Sequence, residues 1–278
     1  MNTEMVSITE KEFKQIATLL YGNFGINLTD NKQTLVRGRL NKIIRTKGYE
    51  NFTNYYNAIK EDKTGMLQIE LADKLSTNHS YFFRENDHFK YLSTNTLPEI
   101  EKSQRLKEPS ELRIWCAGCA AGEEPYTLAI LLKEHFGKRL TNNKPVILAT
   151  DISTSALSAA KSGIYTQDKL KSMPNKYLDK YFNNMGTGKY SVKPDLRNLI
   201  LFKRLNLMRD TFPFSNKFDI IFCRNVMIYF DKITRETLIS KYFSNLIDNG
   251  ILFIGHSETI GRNSNQFKYL IPAVYRKK

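Results

Sequence analysis

The sequence predicts a two-part fold, an all-helical unit followed by an α/β domain, and three observations point to it. Up to about residue 75, apolar residues recur only at helical spacing. From about residue 110, strand-like apolar runs alternate with helical stretches, the texture of a mostly parallel sheet covered on both faces. Between Gly163 and Arg197 that rhythm breaks at Pro174, Pro194 and the turn Gly186-Thr187-Gly188, which marks a small insertion.

In the first part, Phe13, Ile16, Ala17, Leu19 and Leu20 form one helical stripe, broken at Gly22 and Gly25. Leu35, Val36, Leu40, Ile43 and Ile44 form a second, ended by Gly48. Phe52, Tyr55, Tyr56 and Ile59 predict a third helix, and Met66 to Leu75 a fourth. In the second part, strands are expected at Leu112–Cys116, Val146–Thr150, Phe218–Cys223, Gly250–Gly255 and Tyr269–Tyr275. Helices are expected at Pro125–Phe136, Ser155–Ser162 and Lys232–Leu246, with Pro125 suited to a first turn. The expected division is a helical domain over 1–76, a linker or lid over 77–95, and an α/β domain over 96–278 with an inserted subdomain at about 165–197.

The 278 residues are enough to bury a substantial core. No apolar run approaches the roughly 18 residues of a membrane span. The first residues are polar and carry acids, so a signal peptide is not expected and a cytoplasmic setting is. Three cysteines argue against a disulfide scaffold. The formal net charge of +14 suits an acidic partner (nucleic acid, membrane surface or acidic protein), or simply a solubilising surface. The second helix concentrates this charge. Arg37, Lys42 and Arg45 lie off its apolar stripe and form either a solvated face or a docking face for an acidic surface.

In open α/β sheets ligands bind at the carboxyl ends of the strands, and three such ends carry polar or small residues. Cys116-Ala117-Gly118-Cys119-Ala120-Ala121-Gly122-Glu123-Glu124 leads from a strand into a helix N-terminus. Its spacing is not G-x-G-x-x-G, and two glutamates would repel a pyrophosphate but suit a positively charged ligand. Its C-x-x-C would need more ligands to hold zinc, with only Cys223 and four scattered histidines remaining; a redox pair is the other alternative, and packing beneath a ligand loop is the favoured reading. Asp151, after the second strand, suits ribose hydroxyls or a helix N-cap, with Ser153 as rival for the cap. Arg224 and Asn225 follow a very apolar strand and need partners there. Tyr229 is either a core aromatic or a hydroxyl that positions substrate. Upstream, Thr77-Asn78-His79-Ser80-Tyr81-Phe82-Phe83-Arg84 joins the two parts and suits a lid or a packed interdomain helix.

Several motifs occur in one order: Asn78-x-Ser80-x-Phe82-Phe83-Arg84, Gly122-Glu123-Glu124-Pro125-Tyr126, Ala149-Thr150-Asp151-Ile152, Leu205-Asn206-Leu207, Phe222 to Asp231, and Gly255-His256-Ser257-Glu258. Together they closely resemble the chemotaxis receptor methyltransferase family (CheR), over nearly the whole chain. The resemblance implies a Rossmann-like S-adenosylmethionine-dependent methyltransferase domain with a small β-rich insertion, preceded by an all-helical N-terminal domain. It implies transfer of a methyl group from S-adenosylmethionine to glutamate side chains of receptors, leaving S-adenosylhomocysteine, with no metal. It implies a cofactor site of Asn78, Ser80, Arg84, Glu123, Asp151, Asn206, Leu207, Arg224 and Asn225. It places Arg84 and Tyr229 near the methyl-transfer centre, and Arg37, Lys42 and Arg45 against the acidic helical signalling region of the receptor, with the enzyme a monomer.

There are departures. Ser80 stands where the family usually has threonine, which keeps the hydroxyl. Ser153 stands where it often has aspartate, so Ser153 carries no expected cofactor role. The turn at Gly186-Thr187-Gly188 is short beside members that grip a receptor's C-terminal tether, which implies a tether-independent member.

Two other classes compete. A nucleic-acid methyltransferase fits the charge, but Phe222-Cys223-Arg224-Asn225 matches neither the Pro-Pro-aromatic nor the Pro-Cys pattern. A non-catalytic module that senses S-adenosylmethionine fits the fold, but the retained polar set argues against it.

Overall fold

The computed structural model of the chain describes residues 5–76, 80–103, 105–140, 144–261 and 264–278. The expected cofactor residue Asn78 lies outside them.

The N-terminal helices are α1 (Glu10–Phe24), α2 (Gln33–Thr46), α3 (Phe52–Glu61) and α4 (Met66–Leu75). Helix α1 begins with a capping box, in which Thr9 and Glu12 satisfy each other's backbone, and ends at Gly25 in the left-handed conformation. The apolar stripes read from the sequence meet in one core. Phe13, Ile16 and Leu20 pack with Val36, Leu40 and Ile44, and with Phe52, Tyr55, Ile59 and Leu71.

Helices α5 (Asn86–Tyr91) and α6 (Leu97–Lys102) are joined through a π-helical turn at Leu92–Thr96. The segment expected as a linker up to residue 95 is therefore helical in its second half and runs on without a break. Phe82, Phe89, Leu92 and Leu97 are buried in the core of the α/β domain.

That domain contains β1 (Ile114–Ala117), α7 (Glu123–Phe136), β2 (Ile147–Asp151), α8 (Thr154–Ser162), β3 (Ile164–Thr166), α9 (Asn175–Tyr181), β4 (Phe182–Asn184), β5 (Lys189–Val192), α10 (Pro194–Arg197), β6 (Ile200–Arg204), β7 (Phe218–Cys223), α11 (Lys232–Asn245), β8 (Leu246–Ile254), β9 (Phe267–Ile271) and β10 (Val274–Lys277). Among the described residues the main sheet runs β6-β2-β1-β7-β8-β10-β9, parallel from β6 to β8 and antiparallel at β10 and β9. The chain builds outward from β1 to β2 and β6, then returns beside β1 to add β7. That reversal leaves a crevice at the carboxyl ends of β1 and β7. The insertion is a separate three-stranded antiparallel sheet, β3-β5-β4.

Two expectations change. The run Tyr269–Tyr275 is a hairpin rather than one strand, because Ala273 takes a left-handed turn (φ 62°) that nothing in its side chain announces. Strand β6 was not expected. It pairs with β2 throughout its length, but its alternation of buried Ile200 and Phe202 with exposed Leu201 and Lys203 is short and begins beside the insertion.

Candidate active site

A cavity of about 340 Å³ opens at the carboxyl ends of β1, β2, β6 and β7, within the usual size range for small-molecule sites. Its floor and walls come from Gly118 and Ala120 after β1, Asp151 and Ile152 at β2, Leu205, Asn206 and Leu207 after β6, and Arg224, Asn225 and Val226 after β7. Ser80, Tyr81 and Arg84 cover it, Tyr229 borders it, and Phe24 and Ile26 reach in from the helical domain.

The loop after β1 is folded across the end of β2. Gly118 and Cys119 both donate their backbone N–H to the Thr150 carbonyl (2.8 and 2.9 Å), and Ala120 donates to Asp151 Oδ2 (2.8 Å). Gly118 has to be glycine. Its φ is +83°, and a Cβ there would lie 2.3 Å from Val226 Cγ2. This close approach of backbone to the cavity floor is what a ligand cradle needs. Asp151 Oδ1 also accepts from Ser153 N (2.9 Å), while Ser153 Oγ accepts from Ala156 N (3.0 Å). Ser153 is thus the N-cap of α8, and Asp151 faces the cavity. Burial pushes the Asp151 carboxyl up, against the pull of its N–H donors. With backbone donors from Ala120, Ser153 and Ile152, the carboxylate keeps room for a further donor, as a ribose hydroxyl would supply.

The glutamate pair divides differently from the expectation. Glu123, expected to bind the cofactor, does not line the cavity. It is buried, with Oε1 3.4 Å from Lys169 Nζ of the insertion, which also donates to the Ser80 carbonyl (3.3 Å). Glu124 is the acid of the pair that lines the cavity. Successive helical residues point about 100° apart, so the two carboxylates have different surroundings. Glu124 is tied to Arg224 (Oε2 to Nη1, 2.9 Å) and accepts from Cys116 Sγ (3.0 Å). Burial pushes its carboxyl up against the pull of the Arg224 guanidinium. Cys116 and Cys119 are free, buried thiols whose pKa burial drives well above the ordinary value, so the C-x-x-C packs rather than reacts.

The remaining expected residues converge. Ser80, Arg84, Asp151, Asn206, Leu207, Arg224, Asn225 and Tyr229 all line the one cavity. Asn206 also joins the two domains, its Nδ2 donating to the Asn23 carbonyl (2.7 Å). Tyr229 makes a second link, accepting at its carbonyl from Asn27 N (2.8 Å). Arg224 is almost wholly enclosed. Its guanidinium reaches Glu124, Glu85 and the Arg84 carbonyl, and lies 5.0 Å from the Phe89 ring centroid.

On α2, Lys42 and Arg45 are exposed and Arg37 is half-buried. Gly38 lies one turn before Lys42, so the exposed face is basic at one end and flat at the other. The same helix touches the cavity rim. Arg39 Nη1 donates to the Leu75 carbonyl (2.7 Å), next to Ser76, which lines the cavity.

The sequence reading passed over Glu85 and Glu258. Glu258 Oε2 accepts from Asn225 N (3.2 Å) and Oε1 from Ile228 N (3.1 Å), which fixes the loop after β7. Its place in Gly255-His256-Ser257-Glu258 was the available signal.

Enclosed acids, a backbone cradle and a mostly apolar wall fit a cationic nucleoside such as S-adenosylmethionine. Comparison with known proteins agrees. The family description "CheR methyltransferase, SAM binding domain" matches residues 78–275, and "CheR methyltransferase, all-alpha domain" matches residues 11–76. The chain is 48% identical over 273 residues to the chemotaxis protein methyltransferase of Borreliella burgdorferi, covering 98% of this chain and 96% of the relative. It is 34% identical to that of Salmonella typhimurium, covering 98% of this chain and 92% of the relative. The chain belongs to the CheR family of S-adenosylmethionine-dependent chemotaxis methyltransferases.

Proposed function

We propose that this protein methylates glutamate side chains on the cytoplasmic helical region of chemotaxis receptors, and that the cavity described above holds the methyl donor. The observation that carries the proposal is the convergence of Asp151, Glu124, Arg84, Arg224 and Asn225 on one enclosed cavity at the strand ends, beside a basic helix.

S-adenosylmethionine supplies an electrophilic methyl group on a sulfonium. A glutamate oxygen attacks that carbon, the carbon–sulfur bond breaks, and sulfur keeps the electron pair as S-adenosylhomocysteine leaves. A glutamate side chain is ionised at neutral pH, since its ordinary pKa is about 4.3, so no general base is needed. The protein's task is alignment and exclusion of water. Asp151 takes the ribose hydroxyls, and Gly118 and Ala120 let the donor approach the backbone. Glu124 offers negative charge to the cationic end of the donor, and Arg84 orients its carboxylate. Tyr229, at the cavity edge, positions the incoming carboxylate. No step calls for a metal ion.

Lys42 and Arg45, with Arg37 on their flank, would meet the acidic receptor helix, and the flat stretch at Gly38 admits a helix closely. The excess positive charge is read as serving this contact rather than nucleic acid. We place the enzyme in the cytoplasm as a monomer that reaches the membrane through its receptors. No helix of the described residues is long and apolar enough to cross a membrane.

The test is incubation with methyl-labelled S-adenosylmethionine and receptor-containing membranes. Base-labile methyl esters on the receptor are expected. Labelled RNA, or no labelled receptor, would overturn the proposal.

A further inference from the structure

We propose that Glu85 is a positioning residue that holds Arg224 and Asn225 in the arrangement that binds S-adenosylmethionine. The inference rests on the reading that this donor occupies the cavity.

Glu85 does not itself line the cavity. It sits between Arg84 and helix α5 with a left-handed backbone (φ 54°, ψ 59°). A non-glycine residue keeps that conformation only where its surroundings impose it. Its neighbours Phe83 (φ 58°) and, across the site, Asn225 (φ 58°) share it. The unusual backbone aims the carboxylate at two strand ends. Oε2 accepts from Arg224 Nη2 (3.1 Å) and from His256 N (3.2 Å), while Oε1 accepts from Asn225 Nδ2 (3.1 Å). One carboxylate thereby fastens the cavity's cover to the ends of β7 and β8.

Arg224 is the main beneficiary. Its guanidinium is stretched between Glu85 at Nη2 and Glu124 at Nη1, so both ends of its fork are fixed. Phe89 supports its face. Without Glu85, the guanidinium keeps only Glu124 and the Arg84 carbonyl, and the Asn225 amide loses its anchor. Burial alone would raise the Glu85 carboxyl. The Arg224 guanidinium, the Asn225 amide and His256 together hold it below the ordinary carboxylate range, so it is charged at neutral pH.

Glu85, His88 and His256 bring three potential metal-ligand atoms within 4.8 Å of one another. Both Glu85 oxygens are already engaged, however, and the Arg224 guanidinium 3.1 Å from Oε2 would repel a bound cation. The cluster is a clamp.

The experiment uses the full chain as wild type, Glu85→Gln, Arg224→Lys and the double variant. Calorimetry reads the Kd for S-adenosylmethionine, and steady-state assays read KM for donor and receptor separately. Glu85→Gln keeps the shape and removes the charge. It should weaken donor binding about tenfold, the worth of one charge-assisted hydrogen bond, and leave the receptor KM unchanged. The double variant should bind no more weakly than the weaker single variant, because the two residues act as a unit. An unchanged donor Kd in Glu85→Gln, or losses that multiply in the double variant, would overturn the role of Glu85. If Glu85→Gln does not fold, Glu85→Asp replaces it. Aspartate keeps the charge but is too short to span Arg224 and Asn225 together, so the same split between donor and receptor is expected. A wild type that fails to bind S-adenosylmethionine would instead refute the cavity assignment.

Discussion

His88 carries a pH dependence that can be isolated. Its ring is fully enclosed, 4.6 Å from the His256 ring and 5.8 Å from Phe253 between centroids. Burial, then the Arg224 charge and His256, lower its pKa from 6.5 to about 4, against the opposing pull of Glu85. A histidine with a depressed folded pKa stays neutral in the native protein while the unfolded chain takes up a proton. Between about pH 6.5 and pH 4 the unfolded state therefore binds more protons, and stability falls as the pH falls. Integrating from pH 7.5 to 4.5 with those two values gives a loss of about 2–3 kcal/mol from this one group. The perturbation is His88→Gln, whose amide nitrogen can reach the place of Nε2, 3.4 Å from the Pro272 carbonyl. Urea unfolding of both proteins at several pH values across this range removes the contribution of the carboxylates by difference. The variant starts less stable at pH 7.5, and the gap should narrow by about 2–3 kcal/mol at pH 4.5. A gap that is constant with pH would refute the reasoning, because it would mean that His88 titrates alike in both states.

Three further outcomes are expected. Gly118→Ala forces a side chain into a left-handed backbone and onto Val226. It should cost roughly 2–4 kcal/mol of stability and weaken donor binding, read by thermal unfolding and calorimetry. Glu124→Gln should raise the Kd for S-adenosylmethionine by about tenfold or more, since a buried partner of Arg224 loses its charge. Glu123→Gln should move it less, and the reverse order would make Glu123 the acid that faces the donor. Charge reversal at Lys42 and Arg45 together should raise the receptor KM, more strongly at low salt, and leave the donor Kd unchanged. An equal change in both constants would place these residues in the cofactor site instead.

Much of the fold could be read in advance because its patterns are local. Met66 to Leu75 and Phe218 to Cys223 have the same bounds in the sequence reading and in the structure. Their ends are marked by Gly65 and by a change from apolar to charged residues. Two features were not legible. Helix α7 is buried nearly all round, from Glu123 through Leu132. An apolar stripe normally tells which side of a helix faces a ligand, and here there is none, so nothing chose between Glu123 and Glu124. The clamp at Glu85 depends on backbone conformation and on partners about 140 and 170 residues away. No spacing rule reports such contacts. Asn206 shows a third limit. The motif around it was visible, but not that its amide also holds the Asn23 carbonyl of the other domain.

That link between Asn206 and Asn23, with its companion between Tyr229 and Asn27, has a thermodynamic consequence. Phe24 and Ile26 form part of the cavity wall, so a small molecule in the cavity would hold the two domains together as a bridge. An acceptor bound along α2 pushes on the same helical body that carries Phe24 and Ile26. Free energies around such a cycle must close. Whatever factor acceptor binding applies to the affinity for the donor, the donor applies to the affinity for the acceptor. The product, which lacks the sulfonium charge, enters the same cycle with a different factor. If the acceptor does dock along α2, as proposed above, its release after methyl transfer would depend partly on the domain boundary, where Phe24 and Ile26 line the cavity.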